Sequence, residues 1–467
     1  MSRSTGLGTI ADRIASIINS ELKETVGCTD PVAIGLATAS AAALYKKELS
    51  LQEIQEAVES ITLELDMNIF KNAAAVGVPG TGMKGISIAA VLGLLLHDVS
   101  RGLMLFSSLD SELLTYAVEI QKRIPVHVKV RTKPGNIFIQ AAITWKDGTE
   151  TASAVSDYHD NIIWTEINNN RSPIQGREQK NREHTASQLP LDSLDWLVNH
   201  ILMTPESALE KIVRSFDVNM RASEIGLADR RKSLEIQSLE RIYGKIFQED
   251  NRKDKLAAPK NRDFQPAPLK DTAIIKTARI RVAAATRLRM DGEPLQIMAC
   301  GGSGNHGITF FITLSLGWKM EGITPGRSLL YGAALGILLL HRIKKETGIL
   351  TPMCGCAIAS GLASAAALAW GLGGDSGMMQ QAMNLVLSNL GGIVCDGAKP
   401  ACAYKTSLSA QVALESARMA ASGVCIPPDE GLSTDSFKDL LANLHRIHQE
   451  GMASFNTTMV SILQSRK

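Results

Sequence analysis

The chain has 467 residues, 49 basic and 47 acidic, for a net charge of +2, a balance that offers neither a nucleic acid nor a basic partner an electrostatic hold. With 45% hydrophobic residues it can build a large core, yet only 4% are aromatic, so its 38 glycines and 16 methionines must help to fill it. Seven cysteines (Cys28, Cys300, Cys354, Cys356, Cys395, Cys402 and Cys425), an odd number crowded toward the C-terminus, exclude a disulfide framework and suit reduced thiols of a cytosolic protein.

In chain order, the first segment, MSRSTGLGTIADRIAS, lacks an apolar run of signal-peptide length, so export is not expected. Ile10, Ile14, Ile17, Ile18 and Leu22 recur at helical spacing. That helix breaks at Val26-Gly27-Cys28-Thr29-Asp30-Pro31, where Thr29 or Asp30 is expected to cap an Ala-rich second helix. Residues 60–66, 126–131 and 136–145 alternate as strands do, with a turn at Lys133-Pro134-Gly135, and a further strand pair is expected within 150–168. Residues 168–188 and 249–272 are polar and read as surface loops or linkers. Beyond about 272 the pattern is helical almost to the end.

This predicts an α+β fold, a mostly helical catalytic domain with a smaller mixed α/β portion in the N-terminal third. The expected divisions are 1–170, which holds the GCTDP and PGTGM motifs, a helical connector with polar loops over 171–271, and a helical, cysteine-rich portion over 272–467. Between Glu346 and Asp375, and again between Asp375 and Asp396, no residue is charged. These stretches are rich in Ala, Gly, Ser and amides, and the mean hydropathy of +0.03 is low, so they read as buried helices rather than membrane spans. Such helices suit a subunit interface as well as a core, so a homo-oligomer is compatible with them.

The chemistry-bearing residues are individually ambiguous. Cys354, Cys395 and Cys402 match no zinc-ribbon or ferredoxin spacing, yet they adjoin Gly and Pro (TPMCGC, GGIVCDGAKPACAYK), where helices end and thiolates can share a cavity. Three such ligands would leave one metal corner open, as a Lewis-acid site requires, whereas small buried cysteines are the plainer alternative. Cys28 precedes a helix N-terminus, whose dipole is expected to lower its pKa and make it a base or nucleophile. Two glycine-rich segments, from Asn72 through Pro79-Gly80-Thr81-Gly82 and from Gly301 through Ser303, Asn305 and His306, precede apolar helices whose N–H groups can hold a carboxylate. Neither is a nucleotide-binding loop. Arg289 can pair with a substrate carboxylate, and His159 can carry a proton, although each also reads as an ordinary surface or loop residue. Lys399 and Lys405 flank Cys402 and can make its surroundings electropositive.

In order along the chain, ETVGCTDPVAIGLA, KNAAAVGVPGTGMKGISIAAVLG, GGSGNHGIT, TPMCGC and GGIVCDGAKPACAYK resemble the L-cysteine desulfidase family, related to the α-chain domain of iron–sulfur L-serine dehydratases. The resemblance implies a pyridoxal-free α,β-elimination dependent on a [4Fe–4S] cluster. Cys354, Cys395 and Cys402 stand at the positions of its three ligands, and Cys28 at that of the thiolate removing the Cα proton. Asn72, Thr81, Ser303 and Asn305 stand at substrate-pocket positions, with Arg289 and His159 matching less closely. His306 stands where the family carries Gln, Asp30 where Glu is commoner, and Cys300 and Cys356 add thiols expected near the pocket.

The expected activity is therefore a cytosolic lyase turning L-cysteine into pyruvate, ammonia and sulfide, with a small amino acid as its partner and no nucleic acid or membrane. The same machinery acting on L-serine, or a non-catalytic sensor that binds a cluster or an amino acid, are the rival readings.

Overall fold

The computed structural model describes residues 9–45, 49–131, 137–174, 189–229, 269–320 and 326–465. The chain opens with helix α1 (Ile10–Glu21), capped by Thr9 in reciprocal hydrogen bonds with Asp12. A short strand, β1 (Lys23–Val26), then leads to α2 (Thr29–Ala42). Every residue of α2 is buried, because Ala and Gly on all faces let its neighbours approach closely.

The alternating segments form a six-stranded sheet. Its strands are β2 (Val58–Leu65), β3 (Val126–Val130), β4 (Phe138–Trp145), β5 (Glu150–Ser156), β6 (Ile162–Ile167) and β7 (Asn170–Pro173). The order is β3-β2-β4-β5-β6-β7, with β2 and β3 parallel and the other pairs antiparallel. Alternate residues Ile61, Leu63 and Leu65 of β2, and Ile139, Ala141 and Ile143 of β4, are fully buried, as period-two patterning requires. Helix α2 lies against β4 and β5, where Ser153 Oγ donates to the Ala37 carbonyl at 2.7 Å. It crosses α5 (Ile86–Leu96) at glycines: a Cβ on Gly93 would stand 2.1 Å from the Gly35 carbonyl oxygen.

The second half is helical. Helices α7 (Leu194–Ile201) and α8 (Glu210–Ala228) follow α6 (Ser111–Arg123), and then come α9 (Leu269–Met290), α10 (Gly304–Met320), α11 (Arg327–Thr347), α12 (Gly355–Gly371), α13 (Ser376–Leu390) and α14 (Cys402–Ala421). Helix α12 is the central one, packed on α10, α11, α13 and α14. The expectation of helix alone beyond 272 needs one correction. Residues Gln296–Ala299 form β8, which pairs antiparallel with β1 and so joins the two halves.

A second correction concerns 168–188, where Asn170–Pro173 continues the sheet as an edge strand; the linker read at 249–272 overruns the start of α9 at Leu269, and its residues 249–268, like the turn at 133–135, lie outside the described residues. Two apolar cores result, one around α2, α5 and the sheet, the other around α9 to α14. The first helix packs into the helical core through Ile14, Ile17 and Ile18, while Val460 of the last helix, α16 (Phe455–Gln464), returns to the sheet core. Among the described residues no single helix is long and apolar enough to cross a membrane.

Candidate active site

Cys28 is held by a turn that only glycine permits. Gly27 has φ +66°, and a Cβ there would stand 2.2 Å from Pro79 Cγ. The Pro79 loop is in turn fixed to the end of α9, with Gly77 N donating to the Met290 carbonyl at 3.0 Å and Gly80 N to that of Gly292 at 2.8 Å. Thr81 serves this loop internally. Its hydroxyl donates to the Val78 carbonyl at 2.8 Å and accepts from Met83 N at 2.9 Å, and it does not line the cavity described below. The PGTGM loop is thus a buttress under Gly27.

The cap of α2 is Cys28 rather than Thr29 or Asp30, and it makes no side-chain cap bond. Asp30 is used otherwise. Its Oδ2 accepts from the Cys28 thiol at 3.5 Å, and its Oδ1 accepts from Asn72 Nδ2 at 3.3 Å and lies 3.3 Å from His159 Nε2. Burial pushes the Asp30 carboxyl up, but the hydrogen bonds from His159, Asn72 and Cys28 prevail and hold it below its ordinary value. The lowered pKa expected for Cys28 is not what the surroundings produce. Burial, followed by the charge of Asp30, pushes the thiol well up, and Arg289 offsets only part of this. Complete desolvation and an adjacent carboxylate outweigh the helix dipole, so the resting thiol carries its proton.

The opposite wall comes from α9 and α10. Arg289 is 2% exposed; its Nε donates to the Gly27 carbonyl and its Nη1 to Asn305 Oδ1, both at 2.9 Å, while Nη2 has no partner among the described residues. Asn72 Oδ1 is likewise buried without a partner among those residues. Gly304, the first residue of α10, lets this arginine pass, since a Cβ there would meet Arg289 Nε at 2.5 Å. Ser303 Oγ lies 3.6 Å from Cys356 Sγ. His306 Nδ1 is 3.1 and 3.0 Å from the Cys300 and Gly301 carbonyls, which assigns the ring proton to that nitrogen. Burial, then the charge of Lys344, pushes its pKa down to about 3, so the ring is neutral.

The third wall is sulfur. Cys354 is the N-cap of α12, and its N–H donates to the Ile393 carbonyl at 2.8 Å. Cys395 N donates to the Pro352 carbonyl at 2.6 Å, so the two cysteines lie on paired segments. Cys402 opens α14. Burial raises the thiols of Cys354, Cys356 and Cys402, that of Cys356 to about 12. Lys399 and Lys405 do not face the thiols as free charges, because Asp396 Oδ1 lies 2.5 Å from each Nζ. Burial raises the Asp396 carboxyl, but the two lysines prevail and hold it at about 2.

These walls line one shared cavity, bounded by Cys28, Asp30, Asn72, His159, Arg289, Ser303, Asn305, Cys354, Cys356, Cys395 and Cys402 among others. Of the residues singled out in the sequence, Thr81, Lys399 and Lys405 stand outside it, and so does Cys300, which is buried in the helical core. Among the described residues no three of His, Cys, Asp and Glu are drawn together tightly enough to hold a single metal ion.

Sequence reasoning missed Asn68 and Lys71, which also line the cavity. Lys71 is 1% exposed and donates to Asn68 Oδ1 at 3.2 Å and to Asn456 Oδ1 at 2.9 Å. The signal available was the placing of Asn68, Lys71 and Asn72 three and four residues apart on α4 (Met67–Ala73).

The family model for the serine dehydratase alpha chain matches residues 168–461, a span that includes Arg289, Ser303, Asn305 and the cavity cysteines other than Cys28. Full-length similarity extends to UPF0597 proteins. That of Geobacter sulfurreducens is 30% identical over 463 residues, covering 97% of this chain and 98% of its own. Those of Clostridium botulinum and Porphyromonas gingivalis are 29% and 28% identical, each over 97% of this chain, covering 97% and 98% of their own.

Proposed function

Because this chain belongs to the family of the serine dehydratase alpha chain, we propose that it is a pyridoxal-free lyase that eliminates sulfide from L-cysteine, yielding pyruvate and ammonia. One observation carries the reading. A buried thiol with a carboxylate beside it, an arginine with one free N–H face and a set of further thiols all open on a single cavity.

The donor set suits an iron–sulfur cluster better than a lone ion. Cys354, Cys356, Cys395 and Cys402 surround one space without closing on a point, and thiolates are the ordinary ligands of such clusters. A [4Fe–4S] cluster held by Cys354, Cys395 and Cys402 would supply a Lewis-acidic iron that makes sulfur a better leaving group.

The protein's own groups account for the rest. Arg289 Nη2 and Asn72 Oδ1 are buried and unpartnered among the described residues, a donor for the substrate carboxylate and an acceptor for its ammonium. The incoming ammonium favours the thiolate form of Cys28, whose proton is released to solvent while Asp30 stays ionised, and the thiolate then takes the Cα proton. The electron pair left on Cα forms the Cα–Cβ double bond as the Cβ–S bond breaks, and sulfide leaves with the bonding pair. The aminoacrylate tautomerises to an imine, which water hydrolyses to pyruvate and ammonia. A reducing, cytosolic setting suits this chemistry, since all seven cysteines are free thiols.

The test is anaerobic reconstitution of wild type and Cys28→Ser with iron and sulfide, followed by spectra and pyruvate release. We expect the same cluster spectrum in both, with turnover of L-cysteine lowered at least about 100-fold in Cys28→Ser, in line with loss of a general base. Wild-type protein without iron-dependent activity on any β-substituted amino acid would overturn the reading. The family's own description favours one alternative substrate, L-serine; faster pyruvate release from L-serine than from L-cysteine in the same preparation would select it.

A further inference from the structure

The reaction just described uses neither buried lysine, and of the two Lys71 is held by the side-chain oxygens of Asn68 and Asn456. Lys344, on α11, is 4% exposed, and its Nζ has no hydrogen-bond partner among the described residues. It stands against the first turn of α12: a Cβ on Gly355 would be 2.9 Å from Lys344 Nζ and 3.1 Å from His306 Nε2. Gly355 itself lies between Cys354 and Cys356. The acidic groups close enough to act on this ammonium, once ionised, are the thiols of Cys356, Cys395 and Cys354. The rings of His306 and His448 feel its charge as well, and neither supplies a counter-charge.

A buried ammonium with no counter-ion is strongly unfavourable, and neutral thiols do not compensate it. The fold nonetheless brings it to the one place where several thiolates would gather, and glycine at 355 leaves the room. We propose that Lys344 is the counter-cation of an iron–sulfur centre on Cys354, Cys395 and Cys402, offsetting the charge of the ligated thiolates and raising the centre's reduction potential. This rests on the cluster reading above. Lys344 touches neither substrate nor reacting atoms in this assignment; it sets the electrostatic environment of the centre.

The assignment makes a prediction about the metal-free protein that a merely structural lysine would not. Lys344→Met removes an unpaired buried charge while keeping most of the side-chain volume, so the metal-free variant should melt at a higher temperature than metal-free wild type. After anaerobic loading with iron and sulfide the order should reverse. The loaded variant should then show a lower midpoint potential and several-fold faster bleaching in air, and Lys344→Arg should lie nearer wild type in both. A metal-free Lys344→Met that melts earlier than wild type, or fails to fold, would overturn the assignment. So would a loaded variant with wild-type potential and bleaching rate. Wild type that takes up no iron would overturn the cluster reading and this inference together, whereas wild type that loads normally beside an indifferent variant overturns the role of Lys344 alone.

Discussion

Asp30 accepts from Cys28 and Asn72 and pairs with His159, so it ties the start of α2 to α4 and to the loop between β5 and β6. Its negative charge is one cause of the raised pKa of Cys28. Asp30→Asn removes that charge, so the thiolate forms at lower pH. If the thiolate is the base, the rising limb of kcat/KM against pH should shift toward acid, while kcat falls because His159 loses its partner. A limb that stays in place would separate Cys28 from the titration that limits turnover. At this scale the sequence was informative about residue types and poor about partners. Cys28, Arg289 and the three C-terminal cysteines stand out as residue types suited to chemistry, each with a plainer reading beside it, but Asp30 reads as a helix cap because a capping carboxylate and one that accepts from side chains look alike within GCTDP. Lys344 reads as one more cation at a helix C-terminus, and only packing of α11 against α12 reveals it as buried.

Among the elements, the crossing of α2 and α5 fixes the position of the cavity. The helices meet backbone to backbone at Gly35 and Gly93, and α2 carries Cys28 at its start. Gly93→Ala must part them, since its Cβ would overlap the Gly35 carbonyl. We expect a loss of about 1–3 kcal/mol, the usual cost of overpacking a tight core, read as a lower melting temperature. Turnover should fall even where the protein remains folded, because the start of α2 moves with the helix. The strands that alternate over several residues, β2 and β4 above all, were legible because a one-residue slip would turn every side chain to the wrong face. The β1–β8 ribbon was not legible. Each strand has four residues, too short for a period, and their pairing depends on tertiary packing between the two halves.

At the level of the whole molecule, the two cores exchange their ends, α1 joining the helical core and α16 the sheet core. The cavity between them draws on α2, α4, α9, α10, α12 and α14, so it forms only when both halves are in place. No local stretch of sequence contains that information; the ordered set of motifs signals it only collectively. One consequence follows from the burial of the thiols. Sulfur reacts with electrophiles and oxidants as thiolate, and the surroundings of Cys28, Cys354, Cys356 and Cys402 disfavour that form, while Cys425 is exposed. Short treatment of metal-free protein with a maleimide should therefore modify Cys425 well before those four, as peptide mass mapping would show. Rapid labelling of the four would mean that the cavity opens readily without its occupant. On that expectation the chain shelters the sulfur of its cavity, and an exposed cysteine away from it meets reactive molecules first.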